Sequence, residues 1–221
     1  MSLKRSLERM YDLMAAHYGP THWWPGDSPF EIAVGAVLTQ NTAWGNVERA
    51  IANLKRDKLL RPRAILRCPL DMLEQALTPS GYFRVKAERL RSFCDFLVTR
   101  HRGSIKRMAK APLEQLRPQL LAVRGIGPET ADDILLYACD KPVFVVDAYT
   151  RRILSRHGLI RADMAYEDLR GLFEANLEPD LHLYKEYHGL IVYVGKDFCR
   201  RKPRCAECPL RTLLKRGQPQ A

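Results

Sequence analysis

Apolar residues recur through this chain at the three- and four-residue spacing of amphipathic helices, and they do so almost from end to end. Leu3, Leu7, Met10, Leu13, Met14 and Tyr18 share one face of a helix that Gly19 and Pro20 end. Ser28-Pro29-Phe30-Glu31 sets an N-cap, a proline at the first helical position and a capping-box glutamate ahead of the apolar run Ile32 to Leu38. Further helices are predicted around Trp44 to Leu54, in two short stretches punctuated by Pro62 and Pro69, and from about Arg84 to Arg102. Others are expected over Pro112 to Val123, Pro128 to Cys139, Ala148 to His157, Tyr166 to Ala175 and Leu181 to Val194. Val143 to Val146 is the one run that could be a strand; no second run offers it a partner, so it reads as buried extended chain. The fold class that follows is all-α.

Apolar content of 46% over 221 residues is enough to bury one generous core or two small ones, which excludes a disordered chain. Lys and Arg number 36 against 25 Asp and Glu, and the resulting +11 favours a polyanionic partner, nucleic acid ahead of an anionic membrane surface. A surplus of this size also keeps a protein soluble. Over half of it lies between 196 and 216, where eight Lys or Arg face only Asp197 and Glu207. The charged N-terminal stretch lacks the apolar core of a signal peptide, and no apolar run reaches the length of a membrane span. Cys68, Cys94 and Cys139 are scattered in apolar helical stretches, whereas Cys199, Cys205 and Cys208 are clustered, which suits metal ligands in a reducing cytoplasm better than disulfides. Most basic side chains are expected to be solvated, as in a monomer.

Leu121 to Ala131 has the form helix, Arg124-Gly125-Ile126-Gly127, helix. Glycines permit a tight turn, Ile126 packs inward, and Pro128 opens a helix whose free N–H groups can hold a phosphate oxygen without reading sequence. Taken alone, such a turn is as well explained as a plain connection between helices. Asp147 follows the apolar run and immediately precedes the helix beginning near Ala148. A carboxylate there is either an ordinary N-cap, worth about 1 kcal/mol, or a functional anion held at a positive helix end.

Together, Gly125-Ile126-Gly127 and Val145-Val146-Asp147 resemble the helix-hairpin-helix and catalytic-Asp signature of the endonuclease III superfamily of DNA glycosylases. Val37-Leu38-Thr39-Gln40-Asn41-Thr42 and Pro203-Arg204-Cys205-Ala206-Glu207-Cys208-Pro209 extend the likeness over almost the whole chain. The resemblance implies a two-lobed fold with a cleft between the lobes: residues 25–141 as a six-helix barrel-like domain containing the hairpin, and residues 1–24 with 142–221 as a second helical domain. It implies double-stranded DNA carrying a damaged base as partner, Asp147 as catalytic residue, and Gln40, Arg124, Gly125, Ile126 and Gly127 as DNA contacts. Gln40 would fill the stack left by an extruded base.

Endonuclease III carries a catalytic Lys in its hairpin where this sequence has Glu129, and a carboxylate cannot form a Schiff base. A monofunctional glycosylase without lyase activity is therefore expected. Trp23-Trp24-Pro25, with Phe30-Glu31 and Gly35 to Thr42, resembles the endonuclease III-like 3-methyladenine DNA glycosylases more closely, and these also have Glu at the hairpin site. In that subgroup Trp23, Trp24, Pro25 and Trp44 would line the base pocket and hold a cationic alkylpurine by stacking, although core packing is the other explanation of such tryptophans. The alternatives are a glycosylase for oxidised pyrimidines or mismatched bases with lyase activity, and a non-enzymatic DNA-binding module.

Cys199-x5-Cys205-x2-Cys208 resembles the family's [4Fe-4S] loop, but the first gap is one residue short and Leu214 stands at the fourth ligand position. Such a loop could hold a cluster with a non-Cys fourth ligand, hold a labile one, or have lost it.

Overall fold

The computed structural model describes residues 2–214 and Pro219. Its α-helices in chain order are α1 (Leu3–Tyr18), α2 (Pro29–Leu38), α3 (Trp44–Arg56), α4 (Pro62–Arg67), α5 (Leu70–Leu77) and α6 (Phe83–His101). They continue with α7 (Ile105–Met108), α8 (Leu113–Leu121), α9 (Pro128–Asp133), α10 (Ala148–Arg156), α11 (Tyr166–Asn176) and α12 (Leu181–Asp197). There is no strand among the described residues. The all-α reading holds, and the chain divides into two compact units, Pro25–Lys141 and Met1–Trp24 with Pro142–Ala221.

In the unit Pro25–Lys141, the helix starts follow local chemistry. Ser28 Oγ accepts the Glu31 N–H at 3.2 Å and Pro29 opens α2, as the sequence predicts. Every residue from Ala33 to Leu38 is buried, so α2 is sheathed on all sides, by α3, α6 and the π-helical turn Ile134–Ala138 among others. That turn ends the predicted Pro128 to Cys139 helix, which is α-helical only to Asp133. The four-residue α7, capped by Ser104, is too short to show a period and was not predicted. A fully buried lysine, Lys86, donates from Nζ to the Ser80 carbonyl at 2.6 Å, and burial first, with Arg89 nearby, lowers its pKa to about 8.

The hairpin pairs α8 with α9. Arg117 on α8 grips the fully buried Asp132 on α9 through two N–H donors at 2.7 and 3.0 Å, a fork geometry that fixes the two helices in one register. Ile126, 5% exposed, packs inward. The two turn glycines differ in what they do. Gly125 has φ +85°, and a Cβ there would fall inside the Arg89 side chain. Gly127 is extended, with φ −89°, and a Cβ would meet nothing within 4 Å. Only Gly125 is needed by the turn itself.

In the other unit, Val143 to Val146 is buried and lies outside any helix or strand, as expected of buried extended chain. Phe144 stacks on Phe173 of α11 with centroids 3.8 Å apart, and Tyr184 and Tyr187 of α12 meet it edge-on. The Phe144 N–H, which no neighbouring strand could satisfy, donates to the Glu174 carboxylate at 3.0 Å. Leu7, Met10 and Met14 complete this core from α1.

Gly125→Ala is expected to destabilise the protein by at least about 1–2 kcal/mol, the cost of a side chain in left-handed backbone, because Arg89 must also move. Gly127→Ala should leave the urea midpoint unchanged. If both substitutions shift it equally, this division of labour between the glycines is wrong.

Candidate active site

Asp147 is the N-cap of α10. Its Oδ1 accepts both the backbone N–H and the hydroxyl of Thr150 at 2.7 Å, while the Thr150 hydroxyl accepts the Asp147 N–H at 3.4 Å. This reciprocal capping box commits one carboxylate oxygen to the helix. The other, Oδ2, lies 3.9 Å from Nε2 of His188 on α12. The capping explanation is met by the geometry, and the cap leaves the second carboxylate oxygen outside it at a helix end that favours negative charge.

His188 was not predicted. It is 3% exposed, and its burial holds its pKa below 6.5 although the Asp147 charge pulls the other way. The neutral form is favoured at neutral pH, so the histidine packs beside the carboxylate without cancelling its charge. The next residue, Gly189, serves a second site element: a Cβ there would lie 2.7 Å from both the Thr21 hydroxyl and Trp23 Cβ. Glu186, about one helical turn earlier, accepts the Thr21 N–H at 2.8 Å. Tyr193 meets the Trp23 ring edge-on at 5.8 Å, and Lys196 Nζ lies 5.2 Å from its centroid. Trp23 and Trp24 touch at 5.8 Å between ring centroids. All of these belong to the same unit as Asp147. In the other unit, Pro25 is exposed at its start, and Trp44 is the half-buried first residue of α3.

The predicted DNA contacts cluster at the hairpin. Gln40 Nε2 donates to the Gly125 carbonyl at 3.2 Å and to the Thr130 hydroxyl at 2.8 Å, and Arg89 donates to Gln40 Oε1. Its amide is therefore engaged at both ends, the nitrogen on the hairpin and the oxygen on Arg89 of α6, a role within the protein that its sequence position did not reveal. Arg124 is exposed and pairs with Glu88 at 3.2 Å, an exposed contact that a phosphate could replace. Glu129 is exposed on the first turn of α9.

The Cys-bearing loop is fastened to the end of α10. Arg152 donates to the carbonyls of Cys199 and Gly195, and Arg156 to those of Arg200 and Arg201 and, at 3.3 Å, to Cys199 Sγ. Arg200, Arg201, Lys202, Arg204 and Arg211 are exposed, giving the basic surface anticipated for this segment, whose Lys215 and Arg216 lie outside the described residues. Cys199, Cys205 and Cys208 line one small cavity, partly open to solvent, together with His157 and Leu214. Burial first, then the neighbouring thiols, pushes Cys208 up to about 11. Among the described residues no three His, Cys, Asp or Glu converge on a single ion. A mononuclear zinc site requires that convergence, whereas a cubane spreads its ligands over separate irons. Three thiols and an imidazole facing one cavity fit an iron–sulfur cluster in that respect. Cys94 and Cys139, by contrast, are buried thiols whose pKa values burial raises, the latter to about 12.

A hairpin between helices, a capping Asp at the end of a buried extended segment and a basic Cys loop define a class, and similarity to known proteins agrees. Residues 34–179 match the family model described as HhH-GPD superfamily base excision DNA repair protein. The chain belongs to this family of base excision repair DNA glycosylases. It is 46% identical over 205 residues to a putative DNA repair glycosylase of Methanocaldococcus jannaschii, covering 92% of this chain and 93% of that one. Among solved structures it is similar to the H. pylori 3-methyladenine DNA glycosylase bound to 1,N6-ethenoadenine, at TM-score 0.76 and 29% identity over 89% of this chain and 98% of that one. A non-covalent endonuclease III–DNA complex shares the fold at TM-score 0.83 and 24% identity, over 98% and 97% of the chains.

Because His188 is held neutral, the unfolded chain takes up a proton at this position before the folded one does. Its contribution to stability is complete above pH 6.5 and declines as the pH falls through that value, by at most about 1.4 kcal/mol per pH unit. Urea midpoints measured from pH 7.5 to 5 should fall less steeply for His188→Gln than for the parent; parallel curves would refute the assignment.

Proposed function

We propose that this chain is a monofunctional glycosylase that hydrolyses the N-glycosidic bond of N-alkylated purines in duplex DNA, with Asp147 as its catalytic residue. The observation that carries the reading is the division of labour within Asp147: Oδ1 is anchored by Thr150, so Oδ2 is held still beside a neutral histidine. Fixed negative charge suits a reaction whose transition state develops positive charge on the sugar. As the bond from C1′ to the base nitrogen breaks, its electron pair leaves with the base and neutralises the alkylpurine cation. Water then adds to C1′, and Asp147 accepts its proton. A cationic base needs no acid catalyst to depart, so selectivity can rest on Trp23, Trp24, Pro25 and Trp44 as stacking surfaces.

Glu129 at the hairpin supports base release without strand cleavage, since no amine is offered there to attack the sugar. The hairpin N–H groups after Gly127, Arg124 and the exposed basic loop would hold phosphates without reading sequence. Gln40 would enter the vacated stack after exchanging its bonds to Gly125 and Thr130. A cluster held by Cys199, Cys205 and Cys208 would supply no bond to the substrate; it would shape the basic loop. The similarity to the 3-methyladenine glycosylase supports the alkylpurine reading.

The test is a panel of duplexes carrying alkylated purines, oxidised pyrimidines or mismatches, scored for free base and for strand breaks before and after alkali. Free alkylpurine with breaks only after alkali is the expected result. Release of pyrimidines alone would overturn the substrate assignment, and breaks without alkali the monofunctional one. Asp147→Asn should cut base release by about 10²-fold or more with duplex affinity retained. Asn caps helices about as well as Asp, so loss of release with a preserved urea midpoint separates chemistry from capping. Unchanged release would leave only a DNA-binding module.

A further inference from the structure

A cubane cluster takes four ligands, and this loop offers three thiols. The place of the missing one can be read from the other side of the cavity. His157 caps α10 and is 8% exposed. Among the described residues its Nδ1, fully shielded, has no hydrogen-bond partner. A buried polar nitrogen in that state is costly, so it calls for a partner that the described residues do not provide. The ring lines the same cavity as Cys199, Cys205, Cys208 and Leu214, and it lies against the backbone of Leu213. Leu213 adjoins Leu214, the aliphatic residue standing where a four-cysteine loop would carry its last thiol. The imidazole therefore reaches the loop beside the vacant ligand position, from a helix end that Arg152 and Arg156 already tie to that loop.

We propose that His157, through Nδ1, is the fourth ligand of a [4Fe-4S] cluster whose remaining irons are bound by Cys199, Cys205 and Cys208. Imidazole is a common iron ligand, and in place of a thiolate it leaves the cluster one negative charge fewer, which raises its reduction potential. The Arg156 N–H directed at Cys199 Sγ acts in the same sense, as a donor to a ligand sulfur. The proposal concerns the metal site alone and stands or falls independently of the base that Asp147 releases.

The full chain, purified anaerobically and reconstituted with iron and sulfide, is assayed for both elements and for visible absorption. It is then brought to a paramagnetic state and probed for nitrogen hyperfine coupling, with and without 15N-histidine labelling. Iron and sulfide near four per chain and a histidine-dependent coupling are expected. His157→Ala should lose the cluster or retain a three-iron form, while His157→Cys should keep iron and sulfide and lose the coupling. No iron after reconstitution, zinc in its place, an absent histidine coupling in the parent, or an unchanged cluster in His157→Ala would each overturn the proposal. The labelling experiment needs no substitution, so it decides the matter even if the variants fail to fold.

Discussion

Capping of one short helix organises the candidate site. Thr150 and Asp147 satisfy each other at the start of α10, and the capping box is worth about 0.5–2 kcal/mol. Its larger consequence is geometric. The carboxylate arrives at the end of an extended segment whose four apolar residues are buried, with Phe144 clamped between aromatic rings. Neither the backbone before Asp147 nor the helix after it can move without opening that core, so Oδ2 is held in place by the folding energy of the whole unit.

The same helix ties the carboxylate to the Cys-bearing loop. α10 is nine residues long, and its second half with the capping His157 supplies Arg152, Arg156 and His157 to the loop. α12 braces both: its Gly195 leaves room for Tyr149 of α10, where a Cβ would lie 2.6 Å from Tyr149 Cγ, while His188 faces Asp147 and Gly189 accommodates Trp23. Two adjacent residues on α12 thus serve the carboxylate and a predicted pocket aromatic. Neither has a side chain that marks it in the sequence, because a buried histidine and a helical glycine are ordinary core residues unless their neighbours are known.

Within the hairpin, the arrangement is rigid for a different reason. The Arg117–Asp132 fork joins the two helices, and Gln40, just past the end of α2, locks the turn through Gly125 and Thr130. Buried pairs of this kind are costly to break by removing one partner, about 3–5 kcal/mol, so the turn's N–H groups are presented by a scaffold that does not relax. Gly127, whose missing Cβ leaves open space, is free to meet something outside the protein.

Much of this was legible from local patterns. The 3.6-residue period places the long helices, the Ser28 cap and Pro29 start α2 where observed, and Val143 to Val146 is extended and buried because an unpartnered apolar run has nowhere else to go. Those features depend on residues near one another in the chain, and backbone geometry settles them. α7 was missed because four residues carry no period, and the π turn at Ile134–Ala138 because it sits within a helix-like pattern. The identity of Asp147 and the absence of a hairpin lysine are also plain in the sequence. What only the tertiary structure decided is who stands beside them: His188 at 41 residues' remove from Asp147, Gln40 on a hairpin 85 residues away, and His157 in the cavity of the cysteines. Contacts at that separation are set by how helices pack, and packing follows the summed shape of the buried side chains, which no local pattern encodes.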